Sequence, residues 1–467
     1  MQNHRINDYS LWFGLISIIG IPISISMSQG FLAVAVILVL ISRYHSKFND
    51  NTQPLPKSLR IVLIFGLSIY ISWLLSAMIH SVIDRSIEPL VKATHSDLKD
   101  VWLILMSVWA FHHGSFSESH RRRLLRVVAI VFLIILLLGL VSSVTPFRLS
   151  KLFYHLQHGW HFSSEARLQH PMLHLPFGIT FYMPVGLLGT HLAFGAQLAF
   201  FTIPITLYLV DHYLMKNIWS KYQLTIVILF VLALFVLLLN NARSAILGLL
   251  SALLAGILFL SCLKWRRSAL KLILPPAIVL FLVTAVAIVN PNAGDLLMQS
   301  IGIEKKHSDY QRIMLWSVTS EVALDNVVVG VGPGMFSESV YNQMNQDAID
   351  KPYLWYLYMQ TERGHAHNDF LFQVTTAGFI GGFLFIAFWI SLLSMVFRTR
   401  ENQSQTLFEN ESESKSEIDS FLVSFLPFVR FSPILLLFGG LFQCYFLDDQ
   451  VILPFWLFVG LAALKSK

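Results

Sequence analysis

One apolar stretch follows another along this chain, and about 20 apolar residues are what an α-helix needs to cross the hydrocarbon core of a bilayer. Candidate spans fall at 9–26, 30–44, 59–83, 101–117, 123–146, 187–211, 222–240, 243–263, 269–289, 370–397, 420–446 and 450–465, about 12 in all. In lipid every backbone N–H and C=O must be satisfied within the protein, which leaves only helices or closed barrels. Barrel strands alternate polar and apolar residues, whereas these runs are continuous. The implied fold class is therefore an all-α polytopic membrane protein of about 12 transmembrane helices. The first two runs are short, and with Pro22 near their junction the division between them is left open. Pro427, Arg430 and Pro433 break the run 420–446 into an interfacial piece and a span.

The charge pattern orients the chain. Only 13% of the 467 residues are charged, half the ~25% of an average soluble domain. The basic clusters HRRRLLR (120–126), MKNIWSK (215–221), KWRRSALK (264–271), RTRENQ (398–403) and the terminal KSK all fall between spans on one side. By the positive-inside rule that side is cytoplasmic, and both termini lie there. The net charge of +6 thus reflects membrane orientation and gives no sign of a nucleic-acid partner. The acidic stretch ENESESKSE (409–417) reads as a solvated cytoplasmic linker. Cys262 and Cys444 are placed near opposite faces, so no disulfide is expected between them. The polar start MQNHRINDYS has one Arg and no small-residue cleavage site after the first apolar run, which reads as a retained helix.

Two outer connections are long, 148–186 and 290–369, and long connections in compact proteins are usually functional. The organisation read from this is 1–289, nine helices with the outer loop 148–186; 290–369, a large periplasmic loop; and 370–467, three helices with the linker 398–417. Within the large loop, DYQRIMLWSVTSEVALDN (309–326) has helical apolar spacing and PYLWYLYMQTE (352–362) is aromatic and amphipathic, so short helices over the membrane surface are expected.

The polar residues gather at the outer ends of spans. In RGHAHNDFLFQVTTAGFIGG (363–382), Asn368 suits an N-cap and Asp369 a first helical turn. His367 then stands at the positive end of the helix dipole, which disfavours imidazolium, and a neutral imidazole there can act as a general base. Eleven residues on, Gly378 shares a helical face with His367, and Gly381 and Gly382 continue it, allowing close approach of a neighbouring helix. The same residues also read as a plain interfacial cap. In NNARSA (240–245), Arg243 opens a span on the same side; a guanidinium at a helix N-terminus suits phosphate, and it also reads as a snorkelling arginine. Arg312 and Trp316 precede GVGPGMF (330–336), which lacks the preceding strand and following Lys-Ser/Thr of a phosphate loop and reads as a turn. His365, Glu362 and Arg363 either hydrogen-bond around His367 or form a solvated rim. His155, His158 and His161 have no carboxylate or Cys at ligand spacing, so no metal site is expected, and His112-His113 reads as interfacial.

Taken together, these residues resemble the O-antigen ligase/O-antigen polymerase superfamily of bacterial membrane glycosyltransferases. The family's pattern is His, Asn/Ser/Gln, nine residues, Gly, two residues, Gly/Thr/Tyr, and here His367, Asn368, Gly378 and Gly381 fill it. QRIMLW with GVGPGMF, NNARSA, and VGLLGTHLAFG (185–195) are similar to further family segments, over roughly 180–390. The chain departs from the family where Met183 occupies the usual place of a second arginine; Arg167 in the same loop is the candidate substitute.

The resemblance implies a GT-C-type ligase architecture in the bacterial inner membrane, with the site periplasmic. The implied donor is an undecaprenyl-pyrophosphate-linked glycan, and the acceptor a lipid A–core or a lipid-linked repeat; membrane lipids surround the chain and no cofactor is required. It makes His367 the base, Arg243 the pyrophosphate ligand, Arg312 a second phosphate or loop-bracing group, and Asn368 the cap that orients His367. A ligase, a polymerase and a protein-glycosylating enzyme would differ in acceptor. A lipid-linked sugar transporter is the competing class, though it would carry its charges at mid-membrane.

Overall fold

The computed structural model describes residues 2–46, 54–152, 168–215, 221–264, 308–359, 361, 364–398 and 421–464. The described chain is mainly helical, with one small hairpin and connecting turns. Its helices are α1 (Gln2–Gly20), α2 (Ile25–Ser46), α3 (Lys57–Ile83), α4 (Glu88–His95), α5 (Leu105–Phe116), α6 (Glu118–Val144), α7 (His191–Met215), α8 (Lys221–Asn240), α9 (Arg243–Lys264), α10 (Ser308–Asp325), α11 (Phe336–Asp350), α12 (Trp355–Met359), α13 (Asp369–Phe397), α14 (Leu426–Val429), α15 (Ile434–Gly439) and α16 (Asp449–Ala462). The antiparallel hairpin pairs β1 (Pro171–His174) with β2 (Thr180–Tyr182).

Among the described residues, eight helical stretches are long and apolar enough to cross a membrane. They are apolar on every side: α13 buries Phe385, Phe388 and Leu392 while exposing Phe383 and Ile390. Helices of that kind belong in lipid, and the chain is an all-α polytopic membrane protein.

Several spans differ from the sequence reading. The run 101–117 divides into a 3₁₀ segment (Leu98–Ile104) and the short α5. The run 420–446 ends its α-helical part at Gly439, with α14 and α15 separated at Arg430–Pro433 as the prolines suggest, and a 3₁₀ turn follows at Tyr445–Leu447. Residues 440–446 leave the α-helix and form part of the site. The last span is the 14-residue α16. Candidate span 269–289, the linker 399–417, and Cys262's side chain lie outside the described residues.

His112 and His113, read from the sequence as interfacial, are buried within the protein. His113 meets Ser10 Oγ at 3.0 Å and His120 Nδ1 at 3.2 Å, His120 meets Asp8 Oδ1 at 3.0 Å, and His112 meets Asn7 Oδ1 at 3.2 Å. This polar network fastens α1 to α5 and α6 at the end of the bundle opposite His367.

α13 packs along α3, with Gly381 beside Ser72. α13 is not one straight helix. Ala377 (φ −125°, ψ 18°) and Gly378 (φ 65°, ψ −164°) leave helical geometry, so Gly378 does not share a continuous helical face with His367, contrary to the expectation from spacing. The break receives the glycine-rich turn instead. Val331 N–H donates to Thr375 O (2.8 Å), Gly332 N–H to Thr376 O (2.9 Å), and Phe379 N–H to Val327 O (2.7 Å). Ser76 Oγ on α3 donates to Val329 O at 2.8 Å, and His80 Nε2 meets Gly330 O at 2.8 Å. Residues 327–332 therefore satisfy the polar groups that the break opens, as non-helical backbone at membrane depth requires. A Cβ on Gly330 would run into the Thr376 backbone, and one on Gly378 into the Val328 carbonyl.

Candidate active site

His367 sits on a bend before α13. It has φ +48°, and Asn368 caps the helix with its side chain accepting from Leu371 N–H at 2.9 Å. Two elements hold the bend. From α10, Trp316 Nε1 donates to Ala366 O at 2.8 Å, and Arg312, one turn earlier, lies close enough for its charge to act on His367. From the other side comes 440–446. Gln443 Oε1 meets His367 Nδ1 at 2.8 Å. The Cys444 thiol, free and buried, faces the backbone N–H groups of Ala366, His367 and Asn368. Asp369 N–H donates to Gly440 O at 2.6 Å, and the buried Asp369 carboxylate accepts from the N–H groups of Tyr445 and Phe446.

His365 adds a further contact. Its ring stands edge-on to His367, with centroids 4.3 Å apart, and its Nδ1 accepts the His367 backbone N–H at 3.4 Å. Arg243 is the first residue of α9, following Asn241 in a left-handed conformation. Its neighbour Ser244 hydrogen-bonds Tyr445 Oη at 2.7 Å. The segment 440–446 thus joins the start of α9 to the start of α13, and the Arg312 charge also reaches Tyr445.

Electrostatics favour a neutral ring. Burial pushes the His367 imidazole below its ordinary value; the Gln443 bond opposes this and the Arg312 charge adds to it. Among the described residues no group of three or more His, Cys, Asp or Glu side chains is arranged to hold a metal ion.

The structure therefore brings together His367, Asn368, His365 and Arg312, and ties the helix that Arg243 opens to the same segment. Gly378 and Gly381 lie below, at the break and against α3. Arg167, Glu362 and Arg363, and His155, His158 and His161, fall outside the described residues. The sequence reading missed Gln443, Cys444 and the Asp369 tie. The available signal was FQCYFLDDQ (442–450), a cluster of polar residues closing an otherwise apolar run.

Fold and site together define a multi-pass helical membrane protein with a buried-edge histidine presented at one end of its bundle. Residues 228–386 match the family model described as O-Antigen ligase, and this match supports the O-antigen ligase/polymerase superfamily. The matched stretch includes Arg243, Arg312, His367, Asn368, Gly378 and Gly381 and stops before Gln443. No curated protein matches the chain.

Proposed function

We propose that this protein transfers a glycan from undecaprenyl pyrophosphate to an acceptor hydroxyl at the periplasmic face of the bacterial inner membrane, with lipid A–core as the acceptor. In this reading the large periplasmic loop is 290–369, and the termini and the linker 398–417 are cytoplasmic. His367 takes the proton of the acceptor hydroxyl. The hydroxyl oxygen bonds to the anomeric carbon as the bond to the pyrophosphate oxygen breaks, and the electron pair leaves with pyrophosphate. Arg243 and Arg312 neutralise the charge that develops there, and Asn368 and His365 hold the base in place.

The observation that carries this reading is the placement of His367. Its ring is half-buried, biased to the neutral form, and within reach of the Arg312 charge, on the bend that Gln443 holds and whose partner segment also meets the start of Arg243's helix. The polymerase reading differs only in taking a lipid-linked repeat as acceptor.

The test is glycan transfer by purified protein in liposomes, with a polyprenyl-pyrophosphate glycan as donor and either lipid A–core or a second lipid-linked repeat as acceptor. Wild type transfers to one of them and folded His367→Ala does not; the acceptor used decides between ligase and polymerase. Undiminished transfer by His367→Ala would return His367 to helix capping. No transfer by the wild type would turn attention to a lipid-linked sugar transporter.

A further inference from the structure

The family match ends at residue 386, yet the side chain bonded to the His367 ring comes from residue 443. A neutral imidazole has one N–H and one lone pair, and the partner of one nitrogen decides which nitrogen can take a proton. Here Gln443 presents its carbonyl oxygen to Nδ1 at 2.8 Å. An oxygen acceptor needs a hydrogen between the two atoms. The proton of the neutral ring is thereby held on Nδ1, and the lone pair is left on Nε2.

Gln443 is itself fixed. It is 7% exposed, and its neighbours are anchored one after another. Phe442 packs on Trp316, with ring centroids 6.1 Å apart. Cys444 faces the N–H groups of residues 366–368. Tyr445 bonds Ser244 at 2.7 Å, and Phe446 N–H reaches Asp369 at 3.1 Å. A side chain on so constrained a segment loses little further freedom in holding the ring, which is what a group that orients a base requires.

We infer that Gln443 is a positioning residue for the His367 base: its amide oxygen selects the Nδ1–H form of the ring and so presents Nε2 to the acceptor hydroxyl. The inference rests on the proposed role of His367. Among the described residues, the charged and titratable groups that act on or touch the ring are Arg312 on α10 and His365 on the same bend, while Cys444 faces the backbone of the bend and Asp369 that of residues 445–446.

Two variants, Gln443→Met and Gln443→Glu, test it in the liposome transfer assay, with kcat, KM for the polyprenyl-pyrophosphate glycan and the pH profile measured beside His367→Ala. Methionine keeps the volume and removes the amide oxygen. Its kcat should fall about 10- to 100-fold, the range for losing a group that orients a functional histidine, with KM for the donor within about twofold because ground-state binding is untouched. Activity requires the neutral ring, so it is lost as pH falls through the His367 pKa. The Gln443 bond favours the imidazolium; removing it shifts the acid limb to lower pH. Glutamate restores an oxygen acceptor and adds charge, so kcat recovers at high pH and the limb moves to higher pH.

A fall in kcat with a downward shift of the limb in Gln443→Met, and recovery of kcat in Gln443→Glu, are the expected result, because replacing a residue that only fills space by methionine moves neither. If Gln443→Met unfolds, Gln443→Leu, which also lacks the amide oxygen, takes its place. Wild-type kcat and unmoved limbs in the folded variants, with His367→Ala inactive, would overturn the role of Gln443 and leave the base in place. An active His367→Ala would overturn both.

Discussion

Replacing Gly378 with alanine adds one methyl group, and the geometry of α13 makes it costly. Gly378 has φ 65° and ψ −164°, a region that side-chain-bearing residues enter at about 1–3 kcal/mol. The new Cβ would also meet the Val328 carbonyl and lie 2.7 Å from Val327 O. The 327–328 backbone must then move, and it accepts the Phe379 N–H bond of 2.7 Å. Leaving one buried backbone group unmet costs about 1–3 kcal/mol. The combined destabilisation is about 2–6 kcal/mol. The control is Gly364→Ala, where nothing lies within 4 Å of the added Cβ and the change is about 0.5 kcal/mol or less. Thermal unfolding in detergent should show Gly378→Ala melting well below Gly364→Ala, with faster hydrogen exchange at the Val331 and Gly332 amides. Equal melting temperatures and unchanged exchange would refute the account of the break.

Trp316→Phe removes the 2.8 Å bond to Ala366 O and should cost about 1 kcal/mol; a drop in transfer with unchanged donor KM reports loosening of the His367 bend. Asn368→Ala loses the cap bond to Leu371 N–H and should lower stability by about 1 kcal/mol, read by denaturant unfolding. Asp369→Ala strands the buried N–H groups of Tyr445 and Phe446, so it should destabilise by about 1–3 kcal/mol more than Asp369→Asn, which keeps an acceptor. The His367 pKa lies below the ordinary 6.5, so transfer should be flat through neutral pH and fall only as pH drops through that lowered value. Arg312→Gln removes a charge that opposes imidazolium and should move the fall to higher pH; a rate already falling at pH 7 in the wild type would contradict this.

Hydrophobic runs made the helices legible, because lipid imposes length and composition on any segment that crosses it. Asn368 was legible as a cap for a similarly local reason: the residue bonds three positions along its own chain. Gly378 shows the limit. Spacing placed it on a helical face with His367, but a positive φ and a docked turn from residues 327–332 remove the periodicity on which that placement depends. Gln443 was illegible because its partner is 76 residues away. The run 420–446 looked like a span, and only packing showed that its last residues leave the helix to hold His367. The buried His113–His120 pair was missed similarly, since its partners Ser10 and Asp8 lie about a hundred residues away in the sequence.

The break in α13 also bears on how the chain is assembled. A helix whose amide at Phe379 and carbonyls at Thr375 and Thr376 are completed by residues 327–332 cannot enter a bilayer alone without leaving those groups bare. The turn that completes it is synthesised first. Insertion of α13 is therefore coupled to the return of an earlier segment, and the two settle as one unit against Ser76 and His80 of α3. A truncated chain that ends within α13 but has lost 327–332 should be held at the insertion machinery or degraded, even though its hydrophobic segment is unchanged.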